Sequence, residues 1–87
     1  MSYQVELSKQ AEKQFKALPQ QIQKRLQLRI DALTENPRPS GVKKLEGAES
    51  QYRIRVRNYR IVYDIQDAIL LILIVRIGHR SEVYRRR

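Results

Sequence analysis

The sequence contains no cysteine and no tryptophan, and it has one histidine among 87 residues. The absence of cysteine excludes a disulfide framework and thiolate metal ligands. One histidine, without a carboxylate pair spaced to share a cation, leaves little with which to build a catalytic metal centre. A glycine-rich phosphate loop and a dinucleotide fingerprint are also missing. We therefore expect no metal site and no cofactor.

Long hydrophobic runs are absent as well. The longest, Ala68 to Val75, has eight residues, whereas a membrane-spanning helix needs about 20. The first residues include neither the basic segment nor the apolar segment of a secretory signal. These features predict a cytoplasmic protein without membrane association, and the length predicts one domain over residues 1–87.

Acidic residues are scarce, and the excess of positive charge is concentrated in one part of the chain. The formal net charge is +9. Residues 1–37 carry six lysines and arginines against four acids, whereas residues 38–87 carry twelve against five. With a pI near 10.4, this distribution is typical of a protein that binds nucleic acid.

Apolar and arginine side chains alternate strictly between Tyr52 and Arg57. Because side chains on a strand point to opposite faces with a period of two, we expect the apolar ones to enter a core. Arg53, Arg55 and Arg57 then line the other face, with Arg60 just beyond. Like charges in register repel. We therefore expect this surface to bind an anion that compensates the repulsion, such as nucleic acid or an acidic protein.

The first half of the chain predicts a strand followed by two antiparallel helices. Tyr3 to Leu7 has the pattern of a short strand, and Ser8 after it is a good helix N-cap. Two apolar stripes at helical spacing follow, separated by Pro19. The second helix runs from about Pro19 to Thr34, and the Asn-Pro-Arg-Pro segment at 36–39 ends it, because the residue before a proline leaves the helical region.

The second half predicts three strands in an antiparallel meander, at Gln51–Arg57, Tyr59–Gln66 and Ile69–Ile77. A short edge strand is expected within Val42–Leu45. The last long strand is apolar on both faces and should lie inside the sheet, with helices on one side. The expected fold class is α+β: an N-terminal strand and an antiparallel helix pair packed on one face of a small, mainly antiparallel twisted β-sheet.

Arginine and tyrosine side chains suffice for one reaction class, the cleavage of RNA by its own 2′-hydroxyl. That reaction requires no metal and no protein nucleophile. It needs a group that takes the 2′-OH proton, a group that protonates the leaving 5′-oxygen, and cations around the phosphorane. Arginines can supply the cations, because the extra negative charge develops only in the transition state.

Three motifs resemble the RelE/ParE toxin superfamily, and more closely its RelE branch. They are YRIRVR at 52–57, YRIVY at 59–63 and GHRSEVY at 78–84, and the KKLEG segment at 43–47 also fits. The resemblance covers the whole chain. It implies a toxin of a type II toxin–antitoxin module that cuts translated mRNA in the ribosomal A site, as a ribosome-dependent endoribonuclease.

The resemblance also implies which residues are catalytic. The two basic residues of the branch's second strand fall on Arg53 and Arg55, and the arginine of the following strand falls on Arg60. The C-terminal pair falls on Arg80 and Tyr84. The implied roles are phosphate binding and charge stabilisation for the arginines, with base stacking or proton transfer for Tyr84.

Four further residues are expected to bind RNA: Arg57, His79, Lys43 and Lys44. His79 is also a candidate general acid, because histidine is the side chain that most often exchanges a proton near neutral pH. The alternative is a histidine at a strand end that hydrogen-bonds the backbone.

The resemblance implies a RelB-like antitoxin as partner, in a toxin–antitoxin hetero-oligomer, together with the ribosome and mRNA. Two other functions stay open from the residues. One is a ParE-type inhibitor of DNA gyrase, which binds a protein target and does no RNA chemistry. The other is an inactive basic binding module that keeps the fold and its partner.

Overall fold

The structure is a computed structural model that describes residues 2–47 and 50–79. Its elements are β1 (Gln4–Leu7), α1 (Lys9–Lys16), α2 (Gln20–Leu33), β2 (Lys43–Lys44), β3 (Gln51–Val56), β4 (Tyr59–Gln66), a 3₁₀ turn (Asp67–Ile69) and β5 (Leu71–His79). The five strands form one sheet in the order β1-β5-β4-β3-β2. β1 runs parallel to β5, and the other pairs are antiparallel. The predicted α+β fold class is confirmed.

Both helices pack on one face of the sheet. The buried side chains of α2 are Leu26, Ile30 and Leu33, which recur at the spacing that keeps side chains on one helix face. They share a core with the apolar row from β3, β4 and β5, formed by Ile54, Ile61 and Ile77. Within the described ranges, neither helix is long and apolar enough to cross a membrane.

The pairing of β4 with β5 contains a bulge. Tyr63 lies opposite Ile74, but the preceding residue Val62 lies opposite Arg76, so Val75 is an extra residue in β5. Because side chains alternate between faces, one extra residue reverses which face the following side chains occupy. Arg76 therefore faces away from the helices, while Ile77 returns to the core.

The N-cap residue of α1 and a side chain within α1 hold the bulged part of β5. β1 pairs only with residues 71–74 of β5, so the edge of the strand beyond them needs other partners. The hydroxyl of Ser8 donates to the carbonyl oxygen of Val75 at 3.1 Å and accepts from the backbone N–H of Ala11 at 3.0 Å. Further along, the N–H of Ile77 donates to Oε1 of Gln14 at 2.7 Å. The predicted N-cap is confirmed, and it also anchors the bulge.

The start of the last strand and the end of β3 differ from the prediction. The short edge strand is confirmed as β2, and the last strand lies inside the sheet as expected. That strand begins at Leu71, whereas Ile69 lies in the 3₁₀ turn with 64% of its surface exposed. Leu70 follows it with φ 53°, which reverses the chain direction without a glycine. β3 ends at Val56, and Arg57 lies in a two-residue turn with φ 58°.

Tyr63 is the largest fully buried side chain. Its hydroxyl donates to the carbonyl oxygen of Pro37 at 2.7 Å, which ties the loop after α2 to the middle of the sheet. Burial raises the pKa of the Tyr63 hydroxyl to about 12, because the charged form is poorly solvated inside the core.

We expect Ser8→Ala to lower the free energy of unfolding by about 1 to 2 kcal/mol, because it removes a helix cap and the hydrogen bond to the bulge. Urea denaturation measures the change. Ser40→Ala, at an exposed loop position, is the control and should stay within about 0.5 kcal/mol. Equal stability of the two variants would contradict the anchoring role.

Tyr63 should also make the fold sensitive to alkali. A raised pKa in the folded state stabilises the protein below the unfolded value of about 10, and this contribution is lost as the pH rises toward 12. Between pH 10 and 12, the free energy of unfolding of Tyr63→Phe should therefore fall less steeply with pH than that of the unaltered chain. Circular dichroism against pH checks this, and identical alkaline profiles would contradict it.

Candidate functional site

The sheet face turned away from the helices carries cations from four strands. One register row joins Lys43, Arg53, Val62 and Arg76, and the next joins Arg55, Arg60 and Gly78. Residues directly opposite in neighbouring strands share a face. We call this surface the arginine face, and it consists of Lys43, Arg53, Arg55, Arg60 and Arg76.

The cations of the arginine face differ in exposure. Arg60 is buried with 3% of its surface exposed, and its Nε and Nη1 atoms are shielded from solvent. Arg53 is half-buried, and Arg55 is exposed. Gly78 lies opposite Arg60 and adds no side chain beside it. A guanidinium that is shielded from water acts more strongly on a nearby charge than one at the surface.

A cleft of about 360 Å³ opens on this face. Arg53, Val62 and Arg76 line it, together with Gln10 from α1 and Leu45 after β2. Its volume lies at the lower end of the range of about 300 to 1,000 Å³ that is usual for ligand clefts. Two guanidinium groups over an apolar floor can hold a phosphate group and the sugar or base attached to it.

Arg76 is a candidate residue that the sequence patterns did not predict. It is the only charged residue between Ala68 and Ile77, which is a signal in its favour. Strict alternation from Ile72 and Ile74 places it in the core, and only the bulge at Val75 moves it to the arginine face. Side-chain periodicity alone could not find it.

Three residues expected to bind RNA lie elsewhere. Arg57 does not share a face with Arg55, because β3 ends before it and its side chain lines a cleft with α2. Lys44 pairs with Tyr52, so it points to the face opposite that of Lys43, as neighbouring residues on a strand do. The placement of Arg57 corrects the expectation that it shares a face with Arg55, whereas the RNA-binding roles of Arg57 and Lys44 stay predictions.

His79 is the third. It lies opposite Tyr59 in the register, and the two rings meet edge to face with centroids 5.5 Å apart. Gly78 occupies the arginine face, so the next residue along the strand points to the other side of the sheet. The placement therefore does not support the predicted role of His79 as a general acid beside Arg60. Arg80 and Tyr84, the two remaining predicted catalytic residues, lie outside the described residues.

Two carboxylates near the sheet have defined partners. Asp64 lies on the same side of the sheet as the arginine face, and its carboxylate accepts hydrogen bonds from Ser50 and Gln66. Asp67 forms an ion pair with Arg38 at 2.9 Å, and this contact lowers the pKa of the Asp67 carboxyl. Within residues 2–47 and 50–79, no three side chains of histidine, aspartate or glutamate cluster as metal ligands would.

Residues 5–84 match a family model described as the ParE toxin of the type II toxin–antitoxin system, parDE. The chain is 30% identical over 88 residues to the mRNA interferase toxin RelE of Escherichia coli K12, covering 97% of this chain and 92% of the relative. It is 33% identical over 76 residues to toxin RelE3 of Methanocaldococcus jannaschii, covering 83% and 84%.

The chain is also similar to solved structures of RelE toxins. The archaeal RelE–RelB complex from Pyrococcus horikoshii OT3 superposes with a TM-score of 0.82 at 31% identity, covering 93% of this chain and 98% of that chain. The intact E. coli RelBE toxin–antitoxin complex gives 0.81 at 25% identity, covering 90% and 96%. The fold and the matched length define a small toxin domain. This chain belongs to the RelE/ParE toxin superfamily of type II toxin–antitoxin systems.

The facing pair Arg55 and Arg60 should weaken the fold. Like charges directly opposite in a sheet destabilise by about 0.2 to 1 kcal/mol, so Arg55→Thr should raise the free energy of unfolding by about that amount. Urea denaturation at low and high salt measures this, and salt should stabilise the unaltered chain more than the variant. Lys44→Thr removes the same charge opposite a tyrosine and serves as control. A less stable Arg55→Thr would contradict the account.

Proposed function

We propose that residues 1–87 form a single toxin domain that cleaves translated mRNA on the ribosome, without a metal ion, by attack of the RNA 2′-hydroxyl. The observation that carries the proposal is the pair of register rows that gathers cations from four strands on one face. The similarity to proteins named mRNA interferase, at 30% identity over nearly the whole chain, supports the same reaction class.

The arginine face suits the phosphates of a single RNA strand. Neighbouring strands lie about 4.8 Å apart, and alternate residues of one strand about 6.8 Å apart. Each of these cations thus lies within about one Debye length, about 8 Å at physiological salt, of at least one other, so the potentials of neighbouring cations add. We propose that Arg53, Arg76 and Lys43 hold the phosphates that flank the scissile one.

We propose that Arg55 and Arg60 act on the scissile phosphate itself. The 2′-oxygen attacks phosphorus and loses its proton, the bond to the 5′-oxygen breaks, and that oxygen takes up a proton. The products are a 2′,3′-cyclic phosphate and a 5′-hydroxyl. The phosphorane carries an extra negative charge between these events. A shielded guanidinium such as that of Arg60 stabilises this charge more than the charge of the ground state.

Proton transfer needs other groups, because the guanidinium of an arginine keeps its proton in proteins and is a poor proton donor. His79 lies against Tyr59 on the other side of the sheet, which favours a different group for this role. We therefore propose Tyr84 for proton transfer or for stacking on a base, with Arg80 as a further cation. Both assignments rest on the resemblance of the GHRSEVY segment.

The proposed partner is a RelB-like antitoxin in a toxin–antitoxin hetero-oligomer. It is supported by similarity to the solved RelE–RelB complexes, and by a net charge of +9 that favours an acidic partner. The ribosome and mRNA are the proposed targets, which sets the cytoplasm as the proposed compartment.

Inhibition of DNA gyrase is the second candidate, because the matching family model is described as a ParE toxin. That function requires a protein-binding surface and gives the cations of the arginine face no role in RNA chemistry. A DNA supercoiling assay separates the two functions, since only a gyrase poison traps cleaved DNA on the enzyme.

The test is cleavage of a defined mRNA by the purified chain, with and without programmed ribosomes, with the new 5′ ends mapped. Arg55→Thr should lower the single-turnover cleavage rate by about 10²- to 10³-fold, the usual cost of removing one charge-stabilising donor. Arg76→Ala should weaken substrate binding. It should also reduce the slope of log affinity against log salt concentration by about 1, the value of one phosphate contact.

Lys13→Ala, at an exposed position on α1, is the matched control and should keep cleavage within about twofold. Because Arg55→Thr is expected to fold at least as well as the unaltered chain, a loss of its activity would not reflect misfolding. Intact mRNA after incubation of the unaltered chain with ribosomes would overturn the proposal. Full activity of Arg55→Thr would overturn the assigned site.

A further inference from the structure

A second cationic surface lies on the helix side of the sheet, away from the arginine face. Arg25, Leu28 and Arg29 of α2 and Val56 and Arg57 at the end of β3 line a cleft of about 320 Å³. We call it the α2 cleft. Its three guanidinium groups surround an apolar floor, and the proposed RNA chemistry uses none of them.

The backbone at Arg57 is held in an unusual conformation. Its φ of 58° lies in the left-handed region, which non-glycine residues adopt at a cost of about 1 kcal/mol or more. Glycine or asparagine would fill the position with less strain. Because of this conformation, the side chain lies beside α2 instead of following Arg55 on the other face.

Leu28 is exposed to an unusual degree. It presents 71% of its surface to solvent and is one of two large apolar side chains exposed in the described part of the chain. It lies between Arg25 and Arg29, which are four residues apart and therefore repel along one helix face. The acid of α2, Asp31, accepts a hydrogen bond from Gln27.

No acidic side chain in the described part of the chain forms an ion pair with the three arginines of the α2 cleft. None of the ion pairs or side-chain hydrogen bonds among residues 2–47 and 50–79 involves Arg25, Arg29 or Arg57. Strain, like-charge repulsion and an exposed leucine all cost stability at one place. A partner that supplied carboxylates and covered the leucine would offset all three.

We infer that the α2 cleft docks an acidic, amphipathic segment of the antitoxin, with an apolar side chain on Leu28 and Val56 and carboxylates on the arginines. This inference rests on the antitoxin partner of the proposed function. Charge complementarity between a chain of net charge +9 and an acidic segment favours this occupant. RNA fits less well, because its phosphate backbone offers no apolar group to cover the exposed Leu28.

Docking at the α2 cleft would leave the arginine face uncovered. The antitoxin segment bound there would act as an anchor that raises the effective concentration of a second segment near the arginine face. Loss of the anchor should therefore weaken the complex without changing the chemistry of the free toxin.

The test uses the full-length antitoxin of this chain's own module, fluorescently labelled and titrated with the full-length toxin. The double variant Arg25→Glu/Arg29→Glu and the single variant Leu28→Ser should each weaken binding at least tenfold. The matched control is Lys9→Glu/Lys13→Glu, which makes the same charge change at the same spacing on exposed positions of α1. It should weaken binding less than threefold. Ribosome-dependent cleavage by the free variants should stay within twofold.

Each other outcome contradicts a different claim. Unchanged antitoxin affinity in both α2 variants would overturn the docking site, and so would an equal loss in the α1 control. Lost cleavage with unchanged antitoxin affinity would show a ribosome contact instead and overturn it as well. If the unaltered chain bound the antitoxin but cleaved no mRNA, the proposed enzyme activity would fail while the docking site stood. If it bound no antitoxin, the proposed partner would fail.

Discussion

One extra residue in β5 determines which side chains face the helices and which face away. Val75 interrupts the pairing with β4, so Ile72 and Ile74 enter the core before it and Ile77 enters after it. Without the bulge, Arg76 would be directed at the helices, where an unpaired charge costs several kcal/mol. Ser8 makes the bulge compatible with the fold, since its hydroxyl bonds the Val75 carbonyl and caps α1 at once. Ser8, near the start of the chain, thus supports the bulge that determines which side chains of β5 face the core.

The two sides of the sheet consequently carry different kinds of positive surface. The arginine face combines a shielded Arg60 with half-buried and exposed cations around a cleft, an arrangement suited to a charge that changes during a reaction. The α2 cleft combines three arginines with an exposed leucine and a strained backbone, an arrangement suited to a persistent partner. The first destabilises the fold through facing charges and the second through strain. Both losses of stability are expected at sites where the residues serve function at the expense of stability.

Local patterns in the sequence predicted most of the fold because each one agreed with the packing. The cap at Ser8, the alternation that buries Ile54 and Val56, and the short edge strand within Val42–Leu45 all follow from local rules. The predictions that failed concern residues beyond the end of a strand or beyond a bulge. The two-residue turn took Arg57 out of the alternation, and the bulge put Arg76 in the site and His79 outside it. A period of two holds only while the pairing is regular, and the only local sign of the extra residue is the charge of Arg76 within an apolar run.

The central claim is that RNA phosphates bind the arginine face and not the helix side. The most direct measurement is a nuclear magnetic resonance titration of the arginine side-chain Nε–Hε signals with an RNA oligonucleotide that carries 2′-O-methyl groups and cannot be cleaved. The account predicts shifts at Arg53, Arg55, Arg60 and Arg76, with the signals of Arg25 and Arg29 unchanged. Shifts confined to the arginines of α2 would contradict it and would make the helix side the RNA surface.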